Sequence, residues 1–124
     1  MKYFVEFEDS IAGYSSRRFQ PDEMCDIGNF FSGDYRVFKK FDFVDDWLND
    51  PTQHCISGNL IYLEKKDGMI FFGDLLGEDD QERIGLTIEA FKKLLDDWEK
   101  VVQQKPKKII ITKEGDEITV ESKS

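Results

Sequence analysis

Residues 86–121 read LTIEAFKKLLDDWEKVVQQKPKKIIITKEGDEITVE, and this stretch decides the fold. From Ile88 to Gln104 the apolar residues are Ile88, Phe91, Leu94, Leu95, Trp98, Val101 and Val102. Their offsets of 0, 3, 6, 7, 10, 13 and 14 form one stripe of a helical period. Glu89, Lys92, Lys93, Asp96, Asp97, Glu99 and Lys100 fill the opposite face, as solvent requires. Thr87 stands where a side-chain cap belongs, and Glu89 places negative charge at the positive end of the helix dipole. The reciprocal capping box is missing, because its third helical position is Ala90. Pro106 stops the helix and biases Lys105 away from helical geometry. Beyond it, Lys108–Lys113 and Glu117–Ser122 flank Glu114-Gly115-Asp116 as a hairpin. Ile109, Ile111, Ile118 and Val120 should face the core, with Thr112, Thr119 and Glu121 outward. A helix of this length is marginal alone in water, so its stripe demands a sheet to cover.

Upstream, Ser57–Glu64 and Met69–Asp74 predict a second hairpin, closed by Lys65-Lys66-Asp67-Gly68; Asp-Gly is a strong turn signal. Both arms are apolar on both faces, which suits central strands. Phe41–Asn49 carries Phe41, Val44, Trp47 and Leu48 at helical spacing, with Asp42 as N-cap and Asp45 and Asp46 in the first turn. Lys2–Glu8 alternates as a half-buried strand. Further expectations are an irregular turn over Asp9–Ser16, a short strand at Arg17–Phe19 and another at Tyr35–Lys40. Pro21–Asp34, with Gly28 and Gly33, predicts a loop containing one helical turn near Asp22–Cys25. Leu75–Arg83 predicts an acidic loop. The fold class is α+β in a single domain over residues 1–124. Its expected form is an antiparallel sheet of five or six strands against one long amphipathic helix, with one short additional helix.

Charge excludes several functions. Seventeen Lys and Arg against 26 Asp and Glu leave a net charge of −9, and the sequence pI is near 4.6. Such a chain repels nucleic-acid phosphate and anionic membrane, so neither is an expected partner. Met1-Lys2-Tyr3-Phe4-Val5-Glu6 meets charge too soon for a secretory segment, and no apolar run approaches a membrane span. Two cysteines, Cys25 and Cys55, make no disulfide framework. A cytoplasmic protein with reduced thiols is the expectation.

Catalytic signals are sparse. His54 beside Cys55 lacks a second cluster to complete a metal site. Glu64-Lys65-Lys66 matches the E-x-K of some metal-dependent nucleases, but it equally matches a strand ending in a polar turn. The glycines form no phosphate-binding loop, and Asp45, Asp46 and Asp50 lack calcium-loop spacing. No catalytic residue, metal or cofactor is expected. Negative charge instead gathers in three clusters: Asp22, Glu23 and Asp26; Asp42, Asp45, Asp46 and Asp50; and Glu78, Asp79, Asp80 and Glu82. Phe30, Phe31, Tyr35 and Trp47 lie near them in sequence, and aromatic anchors among carboxylates suit a basic partner.

Gly58-Asn59-Leu60-Ile61-Tyr62-Leu63-Glu64 with Ile70-Phe71-Phe72-Gly73-Asp74, and Phe91–Trp98 through Lys105–Thr112, resemble segments of small acidic bacterial proteins. These include immunity proteins of contact-dependent growth inhibition and related polymorphic toxin systems. The similarity spans roughly Gly58–Val120, and its segments are structural in character. It implies a cytoplasmic, non-enzymatic protein that binds one cognate toxin domain as a heterodimer. Such toxins are often nucleases, here with an RNase, acting on tRNA, favoured. The immunity protein would block the active site or the substrate surface. No binding motif transfers residue by residue. Charge alone selects Asp42, Asp45, Asp46, Trp47, Asp50, Glu78, Asp79, Asp80 and Glu82 as partner-binding candidates. The alternatives are an acidic adaptor module with no toxin, and a small enzyme or metal protein around His54, Cys55 and Glu64.

Overall fold

The computed structural model describes residues 2–10, 13–35, 43–75, 77 and 83–123. Among them the long helix forms as its period dictates. It is α3 (Ile88–Gln103), preceded by strand β6 (Ile84–Thr87) and followed by the hairpin β7 (Lys108–Glu114) and β8 (Glu117–Lys123). Phe91, Leu94 and Trp98 are buried, while Ile88, Leu95, Val101 and Val102 pack at the edge of the core. The Thr87 hydroxyl accepts the Ala90 amide at 3.1 Å, the single-sided cap expected without a capping box. Thr87→Ala should therefore cost about 1 kcal/mol, read as a lower urea midpoint with an unchanged slope. Lys105 turns the chain out of the helix with φ of 51°, a left-handed position that stops helical propagation just before Pro106.

The α+β class is as expected, but the sheet is not one of five or six strands. The described residues form two antiparallel sheets of four. The first runs in the order β2-β1-β7-β8, with β1 (Lys2–Ser10) and β2 (Gly13–Gln20). The second runs β3-β4-β5-β6, with β3 (Cys55–Ser57), β4 (Ile61–Lys66) and β5 (Met69–Asp74). Val5 opposite Ile111 and Phe7 opposite Ile109 place the buried faces of β1 and β7 together. The β4–β5 turn is left-handed at both Asp67 (φ 54°) and Gly68 (φ 76°), the conformation that Asp-Gly supplies most cheaply. In the second sheet, aromatic rings lie across glycines. Tyr62 covers Gly73, its partner on β5, and a Cβ on Gly85 would stand 2.6 Å from the ring of its partner Phe71.

Pro21–Asp34 is not a loop. Helix α1 (Met24–Asn29) runs directly into a π-helical turn, Phe30–Asp34. Met24, Ile27, Phe30 and Phe31 are buried, so side-chain burial overrides the poor helical propensity of this segment. Gly28 serves close packing: a Cβ there would stand 2.9 Å from Cβ of Ser16 on β2 and 3.3 Å from the Val5 side chain. Phe30 and Phe31 pack edge to face, with ring centroids 4.9 Å apart, and each reaches a different element. Phe30 meets Phe72 of the second sheet at 5.5 Å between centroids, and Phe31 stacks on Trp98 of α3 at 4.3 Å. Phe7, from the first sheet, joins Trp98 at 4.9 Å. One continuous core thus spans both sheets and the helices between them.

Helix α2 (Phe43–Asn49) carries Asp45 and Asp46 in its first turn, as its sequence predicts; the proposed cap Asp42 lies outside the described residues. Lys65 on β4 closes its other end, donating from Nζ to the Trp47 carbonyl at 2.5 Å and the Asp50 carbonyl at 2.7 Å. A cation there complements the negative end of the helix. Of the expected strand Tyr35–Lys40, Tyr35 continues the helical path, and residues 36–40 lie outside the described set.

Candidate functional site

Three elements meet around one recess of about 230 Å³. β2 contributes Gly13 and Tyr14, the π-helical turn and its next residue contribute Phe31 and Tyr35, and α3 contributes Trp98, Glu99 and Val102. The aromatic walls are held rather than loose. Phe31 and Trp98 stack with planes 28° apart, and Tyr14 meets Trp98 edge-on at 6.1 Å. The Tyr14 hydroxyl donates to the Pro106 carbonyl at 2.5 Å, tying β2 to the segment that follows α3. The Tyr35 hydroxyl donates to Glu99 Oε1 at 2.7 Å.

The electrostatics of the recess are anionic. Burial drives the Tyr35 phenol pKa far upward, and its hydrogen bond to Glu99 and the Glu99 charge add to this. The carboxylates of Asp96 on α3 and Asp45 on α2 lie close enough to raise it further. Tyr35 therefore remains a neutral donor at physiological pH. Asp45, Asp46 and Asp96 are exposed. On the first sheet, Glu8 pairs with Arg17 at 3.7 Å and Lys108 at 3.8 Å, and Glu6 pairs with Arg18 at 3.9 Å.

Comparison with known proteins decides little. No protein-family model matches this chain, and no curated protein or solved structure matches it significantly.

The charge-selected candidates fare differently from one another. Asp45 and Asp46 are exposed, and the Asp45 charge reaches Tyr35 of the recess. Trp47 is 1% exposed, so its ring fills the core and cannot anchor a partner. Its indole N–H has no hydrogen-bond partner among the described residues, and the Lys65 ammonium lies 5.0 Å from its ring centroid. Asp50 is engaged in its own turn, accepting from the Thr52 hydroxyl at 2.6 Å and the Thr52 amide at 2.9 Å, bonds that hold its pKa down. Asp42, Glu78, Asp79, Asp80 and Glu82 lie outside the described residues. Sequence reasoning did not single out Tyr14, Trp98 or Glu99. Trp98 sits on the apolar stripe and reads as core. Glu99 sits on the polar face and reads as solvated. Only the seating of α3 against β2 makes them neighbours.

The His54–Cys55–Glu64 neighbourhood is consumed by structure. Glu64 pairs with Arg83 at 2.7 Å and receives the Cys55 thiol at 3.7 Å, while His54 is exposed and uses its backbone carbonyl to accept the Lys65 amide. The Arg83 bond holds Glu64 low, whereas burial and the Glu64 charge push the Cys55 thiol up, the wrong direction for a nucleophile. Among the described residues, no group of three or more His, Cys, Asp or Glu is placed to hold a metal ion. No helix among them is long and apolar enough to cross a membrane.

Proposed function

We propose that this chain is a cytoplasmic immunity protein that binds a basic toxin domain and neutralises it by occlusion, without turnover. The observation that carries the reading is the aromatic-walled recess with Glu99 on its wall and the charges of Asp45 and Asp96 reaching its Tyr35, in a chain of net charge −9. The resemblance of Gly58–Val120 to immunity proteins of contact-dependent growth inhibition supplies the partner class. A nuclease toxin, an RNase acting on tRNA by preference, must itself be basic to hold its substrate, so carboxylates here stand in for phosphates. Complementary charge of this kind speeds encounter and rejects wrong partners.

The test begins at the native operon, where a gene for a large toxin should directly precede this one. Co-purification of the two products should yield a one-to-one complex with a basic domain, and co-expression should restore growth. The double variant Asp45→Asn/Asp46→Asn, both at exposed positions, should slow association about three- to tenfold at low salt and flatten its salt dependence. A product pair that does not associate, or a toxin equally active with and without this protein, rejects the reading. An unchanged association rate in the double variant rejects this face.

A further inference from the structure

We propose that the free edge of β8 pairs antiparallel with β8 of a second copy of this chain, about a twofold axis at Val120, joining two four-stranded sheets into one. The inference is independent of the toxin reading. β8 ends the first sheet, and no strand among the described residues pairs with its other side. Glu114 opposite Glu117 closes a two-residue turn, so Glu117, Thr119, Glu121 and Lys123 turn their peptide groups toward β7. Those of Ile118, Val120 and Ser122 point away from β7, into the open edge. The Ile118 carbonyl shows this orientation, accepting Lys93 Nζ of α3 at 3.3 Å, while the shorter bond of that ammonium, 2.7 Å, goes to Asp97. A carbonyl has two lone pairs, so the contact leaves room for an incoming N–H. Edges that stay single are guarded by a bulge, a proline or an inward-pointing charge. β2, at the other end of the sheet, has a register shift beside Glu6 and Phe7 and stops at Pro21. β8 has an unbroken register and no proline, and Ile118, Val120 and Ser122 are its core-facing residues.

Charge selects the occupant. Within the hairpin, Glu117 stands opposite Glu114 and Lys123 opposite Lys108, like charges that destabilise a cross-strand pair. In the twofold arrangement each gains the opposite charge on its other side. Glu117 faces Lys123 of the second copy, and Lys123 faces the second copy's Glu117. Both lie at positions without mutual backbone bonds, where side chains come closest. Ile118 then meets Ser122, Thr119 meets Glu121, and Val120 meets its counterpart, so every outward peptide group is used. Sliding the copies by two residues would set Glu117 against Glu121 in one direction and Glu121 against Glu121 in the other. One register is therefore favoured. A basic strand from another protein would suit Glu117 and Glu121 but meet Lys123, which a second copy answers with Glu117. The net charge of −9 opposes association of two copies in general, but the last 24 residues hold four acids and five bases, so repulsion is weak at this hairpin. Pairing would also cover Val120, which is half-buried at the edge of the core.

Sedimentation of the full-length chain from about 10 μM to about 1 mM tests the pairing, a range suited to the small area of a strand edge. The mass should rise with concentration from 14.5 kDa toward twice that value. Glu117→Lys and Lys123→Glu should each weaken association about tenfold or more. Neither should lower the melting temperature, because each relieves a like-charge pair inside its own hairpin. An equimolar mixture of the two variants should recover wild-type association, since every facing pair then joins opposite charges. Ser122→Pro, whose lost N–H points away from β7, should give a folded monomer. A chain that stays monomeric throughout overturns the proposal, as does a dimer that survives both charge variants and Ser122→Pro. Single variants that dissociate without recovery on mixing overturn the register. A monomeric chain whose binding to its toxin is lost in Ser122→Pro gives the edge to that protein and overturns the second copy as occupant.

Discussion

Asp34→Ala is expected to lose about 3–5 kcal/mol of folding stability, lowering the melting temperature by about 10–20 °C. Asp34 is 2% exposed, at the end of the π-helical turn, and its carboxylate grips the chain as it enters β4. Oδ1 accepts the Asn59 amide at 3.0 Å, and Oδ2 accepts the amides of Leu60 at 3.0 Å and Ile61 at 2.9 Å. Removing the carboxylate leaves three backbone donors with no acceptor, each costing about 1–3 kcal/mol before relaxation. Asp34→Asn should be intermediate, because the amide nitrogen would face a donor. Gly58→Ala should reproduce part of the loss, since its Cβ would stand 2.6 Å from Cγ of Asp34. Urea denaturation measures all three. A loss under 1 kcal/mol for the alanine variant would show that water replaces the carboxylate.

The second large effect is of the opposite sign. Asp26→Asn should stabilise the protein by about 1–3 kcal/mol at pH 8, and the gain should shrink steadily on acidification until it is nearly gone by about pH 3.5. Asp26 is 4% exposed on α1, and burial first, then the charges of Asp74 and Glu23, push its pKa up to about 6. The folded state therefore holds this proton more tightly than the unfolded chain. Such a group lends full stability below its unfolded pKa, near 3.8, and that contribution is lost as pH rises through 6. Asparagine keeps the neutral shape at every pH. Urea titrations of both proteins across this range supply the check. A gain independent of pH, or no gain at pH 8, contradicts the assignment.

The parts of this fold that were legible in the sequence are those that bury one face in a regular period. The stripe from Ile88 to Val102 and the alternation of Ile109 and Ile111 fall in that class, as does the Asp67-Gly68 turn. What escaped was structure specified by neighbours. Of β2, the short strand expected at Arg17–Phe19 is present, but the pairing extends back to Gly13, through residues expected in an irregular turn; this half is polar and held mainly by the backbone of β1. Its pairing leaves no apolar signature. β6 is four residues long and hides in the approach to α3. In α1, Gly28 reads as a breaker, yet it permits close contact with Ser16 and Val5. The division into two sheets follows from which hairpins pair through β1 and β7, a choice of long-range partner that no local pattern encodes. For the site, clustered acids pointed toward Asp45 and Asp46, but the same reasoning chose Trp47, whose helical spacing with Val44 and Leu48 already marked it as interior.

The rings seated over Gly73 and Gly85 have a consequence for assembly of the second sheet. β5 offers a notch to β4 and a peg, Phe71, to β6, so three strands interlock in a single alignment. A slide by two residues would set Tyr62 against Phe71 or Leu75, and Phe71 against Arg83 or Thr87, where no notch exists. A slide by one would turn Leu63 and Phe72 out to water. Mispaired hairpins of this apolar sequence are the species that nucleate aggregates, and the peg-and-notch arrangement screens them out before the sheet is complete.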